Sequence, residues 1–192
     1  MRKGIGVFCV FLGVACLLAS VGLVVYNRWE DDNAEGKAQS LLADVQSIIG
    51  EEPTEQPLPE DTEMATVEVE GYACIGILSV PVLDLELPVL TDWSYGKLKK
   101  APCLYYGSYY EENFVIAAHN SQSHFGRLSE LQPGDVVIFT DVNNVERYYE
   151  VAMLETLPKE ATKEMITSGF ALSLYTCTTG GGSRVTVRCN RR

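Results

Sequence analysis

Three side chains in this 192-residue chain stand at the ends of apolar stretches, and together they have the chemistry for acyl transfer. Cys177 closes the alternating segment Ser173-Leu174-Tyr175-Thr176-Cys177, and Thr-Thr-Gly-Gly-Gly-Ser separates it from Arg184, which opens another alternating run. A thiol at a strand end beside a glycine-rich turn stands open to substrate. An antiparallel return brings Arg184 back near it, where a guanidinium favours the thiolate and can donate hydrogen bonds to a developing oxyanion. His119 ends a second apolar stretch, Phe114-Val-Ile-Ala-Ala118, where burial gives way to the polar run Asn120-Ser-Gln-Ser. An imidazole there, with an ordinary pKa of about 6.5, can act as general acid or base. The thiol and the imidazole, each taken alone, also have a plainer reading: an inert core cysteine and a hydrogen-bonded structural histidine.

Two rivals share these residue types. His124 precedes Phe125-Gly-Arg-Leu128, which reads as a tight turn docking Phe125 and Leu128, so a packing or rim role is expected of it. Arg188 lies on the same face as Arg184 and residue 186 by two-residue alternation, so spacing alone does not separate the two arginines. The glycines at 180–182 lack the Gly-Lys-Ser/Thr of a phosphate loop and read as a tight turn. Asp92, Glu111 and Glu112 are scattered acids, and no metal or other cofactor is assigned to them. Cys74, Cys103 and Cys189 show neither a disulfide framework nor zinc-ligand spacing.

The elements that must position these groups are mostly short strands. Apolar runs bounded by turn residues predict strands near 73–80, 83–90, 103–106, 113–118, 135–140, 147–156, 170–176 and 184–190. Short helices are expected at 94–100 and 160–167, and turns at Gln132-Pro-Gly-Asp135 and Asp141-Val-Asn-Asn144. About eight strands at this spacing point to an all-β barrel or sandwich.

Upstream, the texture differs. Gly4 to Tyr26 carries no charge over 23 residues, and a helix of that length spans about 34 Å, enough for a bilayer core. Arg2 and Lys3 precede it while Glu30, Asp31 and Asp32 follow, which places the N-terminus in the cytoplasm and the rest outside. Ala19 and Gly22 imitate a cleavage site, but the apolar stretch exceeds that of a cleaved signal, so residues 1–26 read as a signal anchor. Residues 27–70 form an acidic stalk. It holds an amphipathic helix at 33–49, starting at a capping-box-like Asp32-Asn33-Ala34-Glu35 and ending at Gly50, then an extended Pro/Glu-rich spacer over 51–66. The helix stripe of Leu41, Leu42, Val45, Ile48 and Ile49 could lie on the bilayer, on the domain or on another copy. Residues 71–192 are the folded domain. The net charge is +2 over 1–26, −11 over 27–70 and −2 over 71–192, so the acidity belongs to the stalk, and no basic patch supports a nucleic-acid partner.

Taken together, SLYTC followed by Arg184, with His119 in VIAAHN and the core APCLYYGSYYEENFVIAAHNSQSHFGRLSELQPGDVVIFT, resembles the sortase family over about residues 72–190. Leu174, Thr176 and Cys177 match the family's Thr-Leu-x-Thr-Cys strand, with Ser173 in place of the first Thr and Ala118 in place of the Gly usual before the His. The resemblance implies a closed eight-stranded sortase-type β-barrel with short helices in its loops, anchored in the cell membrane by one N-terminal span with the catalytic domain outside. It implies cysteine transpeptidation at a Leu-Pro-x-Thr-Gly-like sorting signal. Cys177 would be the nucleophile, His119 the acid and base, Arg184 the group on the peptide backbone or oxyanion, and Thr176 and Ala118 substrate contacts. The implied partners are surface proteins with a C-terminal sorting signal, and an amine of a peptidoglycan precursor or a pilin as acceptor. A cysteine protease on the same scaffold and a non-catalytic binding module are the alternatives; a thiol oxidoreductase lacks a CxxC partner for Cys177.

Overall fold

The structure is a computed structural model that describes residues 2–50 and 63–192. It divides into two compact units, one reaching Asn33 and one running from Ala34 to Arg192. Most of the spacer expected at 51–66 therefore lies outside the described residues.

Helix α1 (Arg2–Ile49) supplies the first unit and enters the second. Within it, Val10–Trp29 is 20 residues long with a mean hydropathy of 2.2 and none of it buried, the one helix among the described residues apolar and long enough to cross a membrane. No new helix starts at Asp32–Glu35. The Asn33 side-chain amide donates to the Trp29 carbonyl one turn earlier, and nothing in the sequence between Tyr26 and Asn33 breaks the helix.

In the second unit, Ala38, Leu41 and Val45 of α1 are buried at helical spacing. Leu41 and Val45 join Val69, Cys74, Ile77, Leu90, Ala101 and Cys103, with Leu42 and Ile49 packed alongside, while Ala38 belongs to the main barrel core. The stripe thus lies on the domain. Ile48, expected in it, is 53% exposed, and Ala38 takes the inward place.

Nine strands follow: β1 (Val67–Val69), β2 (Tyr72–Val80), β3 (Leu85–Leu90), β4 (Cys103–Tyr106), β5 (Phe114–Ala117), β6 (Val136–Asp141), β7 (Glu146–Pro158), β8 (Leu172–Cys177) and β9 (Ser183–Arg191). Two one-turn helices lie between them, α2 (Tyr95–Leu98) and α3 (Thr162–Ile166). The sheet order β1-β2-β3-β4-β5-β8-β9-β7-β6 closes on itself through β2–β6, giving a mixed eight-stranded barrel with β1 as an added strand on β2. Closure depends on Gly76, where a Cβ would stand 2.1 Å from the Thr140 carbonyl oxygen of β6. The eight expected strands are all present, and the expected turns close as read: Asp141 Oδ1 accepts from the Asn143 and Val145 amides, and Asp135 Oδ2 from the Gln132 amide.

The barrel interior holds Phe114, Ile116, Phe139, Tyr149, Leu172, Leu174, Val187 and Cys189. A smaller cluster lies on the outside of β5 and β8, where Val115, Ala117 and Tyr175 are covered by Met165 of α3, with Leu98, Tyr105, Leu157 and Ile166 at its margin. This outer face leads to the candidate site.

Candidate active site

Strands β5 and β8 run parallel, with Ala117 opposite Tyr175. Parallel partners end on the same side, so two residues further along each strand His119 and Cys177 leave the sheet at the same end. The junction is fastened twice: the Ala118 amide donates to the Tyr175 carbonyl at 3.2 Å, and Thr176 Oγ1 donates to the Ala118 carbonyl at 2.9 Å. Ala118 and Thr176 are both buried, so they set the relation of the two strand ends. Ala118 is not among the residues with positive φ, so a Cβ there costs no backbone strain where the family usually has Gly. His119 is half-buried. Its carbonyl accepts from the Phe125 amide at 3.2 Å, which closes the following loop into a ring.

Antiparallel β9 returns beside β8 with Arg184 opposite Cys177. The return is tight. The Thr178 amide donates to the Ser183 carbonyl at 2.8 Å, and Gly180 and Gly181 both have positive φ, 90° and 71°, a succession that side chains other than glycine rarely tolerate. Cys177 is exposed. Arg184 stacks with its Cζ 5.2 Å from the Tyr175 ring centroid and 6.0 Å from that of Tyr105. Its Nη1 is buried without a hydrogen-bond partner. Tyr105 in turn meets Trp93, which touches Tyr95, so an aromatic row runs from Arg184 out to the surface. This row was missed in the sequence, although alternation alone places Tyr175 on the face of Cys177.

Beside the thiol lies a cleft of about 280 Å³, lined by Asn120, Ser129, Thr176, Cys177, Thr178 and Thr179 among others. Its polar side chains are neutral, so it offers hydrogen bonds without a fixed charge.

The rivals separate. His124 is fully buried and neither ring nitrogen has a partner. Burial, helped by the nearby His119, pushes its pKa down to about 4. It is a neutral packing group. Arg188 is 1% exposed and bonded through all three nitrogens: Nε donates to Glu155 at 2.7 Å, Nη1 to Ser173 Oγ at 2.8 Å and to the Met165 carbonyl, and Nη2 to the Glu164 carbonyl. Its burial and these bonds keep it from a peptide at the surface. The remaining thiols of the second unit, Cys74, Cys103 and Cys189, are free and buried. Desolvation pushes them up to about 11, 12 and 12, which suppresses the reactive thiolate. Among the described residues, no three His, Cys, Asp or Glu side chains converge so as to hold a metal ion.

A family model described as the sortase domain matches residues 78–192. Among solved structures the chain is similar to sortase C1 from Streptococcus agalactiae, with a TM-score of 0.57 and 22% identity over 65% of this chain and 70% of that one. It is similar also to sortase C from Streptococcus pneumoniae (0.56, 23%, over 85% and 88%) and to sortase A from Listeria monocytogenes (0.57, 19%, over 62% and 87%). No curated protein matches the sequence. At these identities the solved structures attest the fold, and the family model, which covers more than half of the chain, attests the family. The chain belongs to the sortase family, whose members are cysteine transpeptidases.

Proposed function

We propose that this protein is a membrane-anchored transpeptidase that cuts a Leu-Pro-x-Thr-Gly-like sorting signal and joins the new carboxyl end to an amine, of a peptidoglycan precursor or a pilin. The observation that carries the reading is the pairing of an exposed thiol, Cys177, with Arg184, whose buried Nη1 has no partner. A donor left open beside a nucleophile suits an oxygen that gains charge only during reaction.

In this reading the Cys177 thiolate attacks the Thr carbonyl, the Thr–Gly C–N bond breaks as His119 protonates the leaving amine, and a thioester remains. His119 then takes a proton from the incoming amine as it attacks, and the C–S bond breaks to return the thiolate. The Arg184 guanidinium holds the peptide backbone or the oxyanion. Ala118 and Thr176 form the floor at the strand ends, and the neutral cleft beside the thiol suits an amine acceptor, which must arrive uncharged to react. The apolar Val10–Trp29 segment serves as anchor, with the N-terminus in the cytoplasm and the barrel outside.

The test uses the full chain in detergent micelles with a panel of sorting-signal peptides and an amine, read by mass spectrometry. A conjugate that disappears in Cys177→Ala supports transpeptidation and identifies the motif. Free acid that added amine never diverts favours the protease reading. Absence of any peptide on Cys177 across the panel sinks catalysis and favours the binding module.

A further inference from the structure

Among the described residues no carboxylate pairs with Arg184 and no hydrogen bond engages its guanidinium, whose Nη1 is buried. What holds the group is aromatic. Its Cζ lies over two rings, 5.2 Å from the Tyr175 centroid and 6.0 Å from that of Tyr105. The two rings meet edge to face, 5.2 Å apart and at 86°, so together they form a corner around the cation. Both distances lie in the range over which a ring face attracts a guanidinium.

Strand register builds this corner. Tyr175 lies on β8 two residues before Cys177, whose partner on β9 is Arg184. Tyr105 comes from β4, on the far side of β5. Leu104 pairs with Ile116 and Tyr106 with Val115, so Tyr105 is an extra residue in the ladder. A bulge of this kind re-aims a side chain. Here the ring spans β5 to reach Tyr175 and packs on the cluster that holds Val115 and Ala117. Trp93 stands behind it at 5.7 Å.

We infer that Tyr105 is a positioning residue, which with Tyr175 brackets the Arg184 guanidinium beside Cys177 and leaves its charge and its N–H donors to the reacting peptide. The inference rests on the proposed part of Arg184 in acyl transfer. A ring holds a guanidinium differently from a carboxylate. A carboxylate accepts the N–H groups and cancels the charge, as Glu155 does at Nε of Arg188. A ring face attracts the cation without taking up its fork of donors, so the group is fixed in place while its full charge remains for an oxyanion.

Tyr105→Leu and Tyr105→Phe in the full chain in micelles test this with two readouts. In Tyr105→Leu, peptide kcat should fall about tenfold with KM little changed, and Tyr105→Phe, which keeps the ring, should restore most of the loss. By NMR, the Arg184 Nε–H signal, assigned by its disappearance in Arg184→Lys, should move in Tyr105→Leu towards the position of arginines away from ring faces. In Tyr105→Phe it should stay. An Nε–H signal unmoved in Tyr105→Leu overturns the bracket, and a moved signal with parental kcat overturns the positioning role. A loss in Tyr105→Phe as large as in Tyr105→Leu assigns the effect to the hydroxyl and also overturns it. Should Tyr105→Leu not fold, phenylalanines of rising ring fluorination at 105 keep the shape while weakening the negative face. Then kcat should fall stepwise along the series, and a flat series sinks the inference. A parent protein that transfers no peptide would sink the acyl-transfer reading and the positioning role with it, while the Nε–H signal still decides whether the rings hold Arg184.

Discussion

Arg184 and Arg188 leave the same face of β9 two rows of the barrel apart, with Thr186 in the row between them, yet their surroundings are opposite. At the Cys177 end, Arg184 rests on two tyrosine rings and keeps a buried nitrogen without a partner. At the α3 end, Arg188 is buried and bonded through Nε, Nη1 and Nη2. An unmet buried donor ordinarily costs about 1–3 kcal/mol, so folds avoid one unless something else meets it. One end of the face thus keeps a buried donor open, while the other carries a guanidinium bonded through all three of its nitrogens. The open end is where a reacting peptide would meet that donor.

The strongest way to break this comparison is to remove the open end. Cys177→Ala should abolish peptide capture, and Arg184→Ala or His119→Ala should lower kcat/KM by about 10²–10³-fold with little change in Tm. Substantial turnover in Cys177→Ala would end the comparison. In the parent, iodoacetamide followed by peptide mapping should label Cys177 long before Cys74, Cys103 or Cys189, whose burial keeps them protonated.

A second test separates the site from the framework. Leu41 of α1 is 3% exposed against the barrel, so Leu41→Ala should lower stability by about 2–4 kcal/mol, seen in chemical unfolding, while peptide turnover per folded molecule stays unchanged. Loss of turnover without loss of stability would tie α1 to the site itself.

At the closed end, Glu155→Gln leaves the Arg188 cation without its counter-charge. Glu155 is 30% exposed, so solvent shields part of the effect, and a loss of about 1–2 kcal/mol is expected. A neutral outcome would mean that the carbonyls and Ser173 satisfy Arg188 on their own.

The smallest effect concerns His124. Its pKa falls from 6.5 in the open chain to about 4 when folded, so between those values the unfolded chain binds the extra proton. Stability should therefore decrease as pH drops from about 6.5 towards 4, and be unaffected by His124 above that window. His124→Phe should flatten this acid slope in Tm measurements from pH 7 to 4.5; an unchanged slope would place it in the carboxylates instead.

Eight of the nine strands were legible in the sequence, because alternation and turn chemistry are local: Gly180 and Gly181, Asp141 to Asn144 and the run from Phe114 to Ala118 each carry their own signal, whereas β1 (Val67–Val69) fell within the segment read as stalk. The sequence by itself determined the apolar N-terminal helix for the same reason, since length and absence of charge suffice. It named Cys177, His119 and Arg184 through their types and strand-end places, helped by a family likeness. Only the tertiary structure decided the rest. Parallel pairing of β5 with β8, strands more than fifty residues apart, puts His119 and Cys177 at one end, and no local pattern encodes that register. The two arginines look alike in sequence because alternation fixes a face, not a neighbour; the neighbours that distinguish them come from β7, α3 and the aromatic row. Likewise the stripe of α1 announced an apolar partner without saying which, and the barrel supplied it, turning Ala38 inward and Ile48 out. Periodicity reports which side of an element seeks burial, while the identity of what buries it depends on contacts distant in the chain.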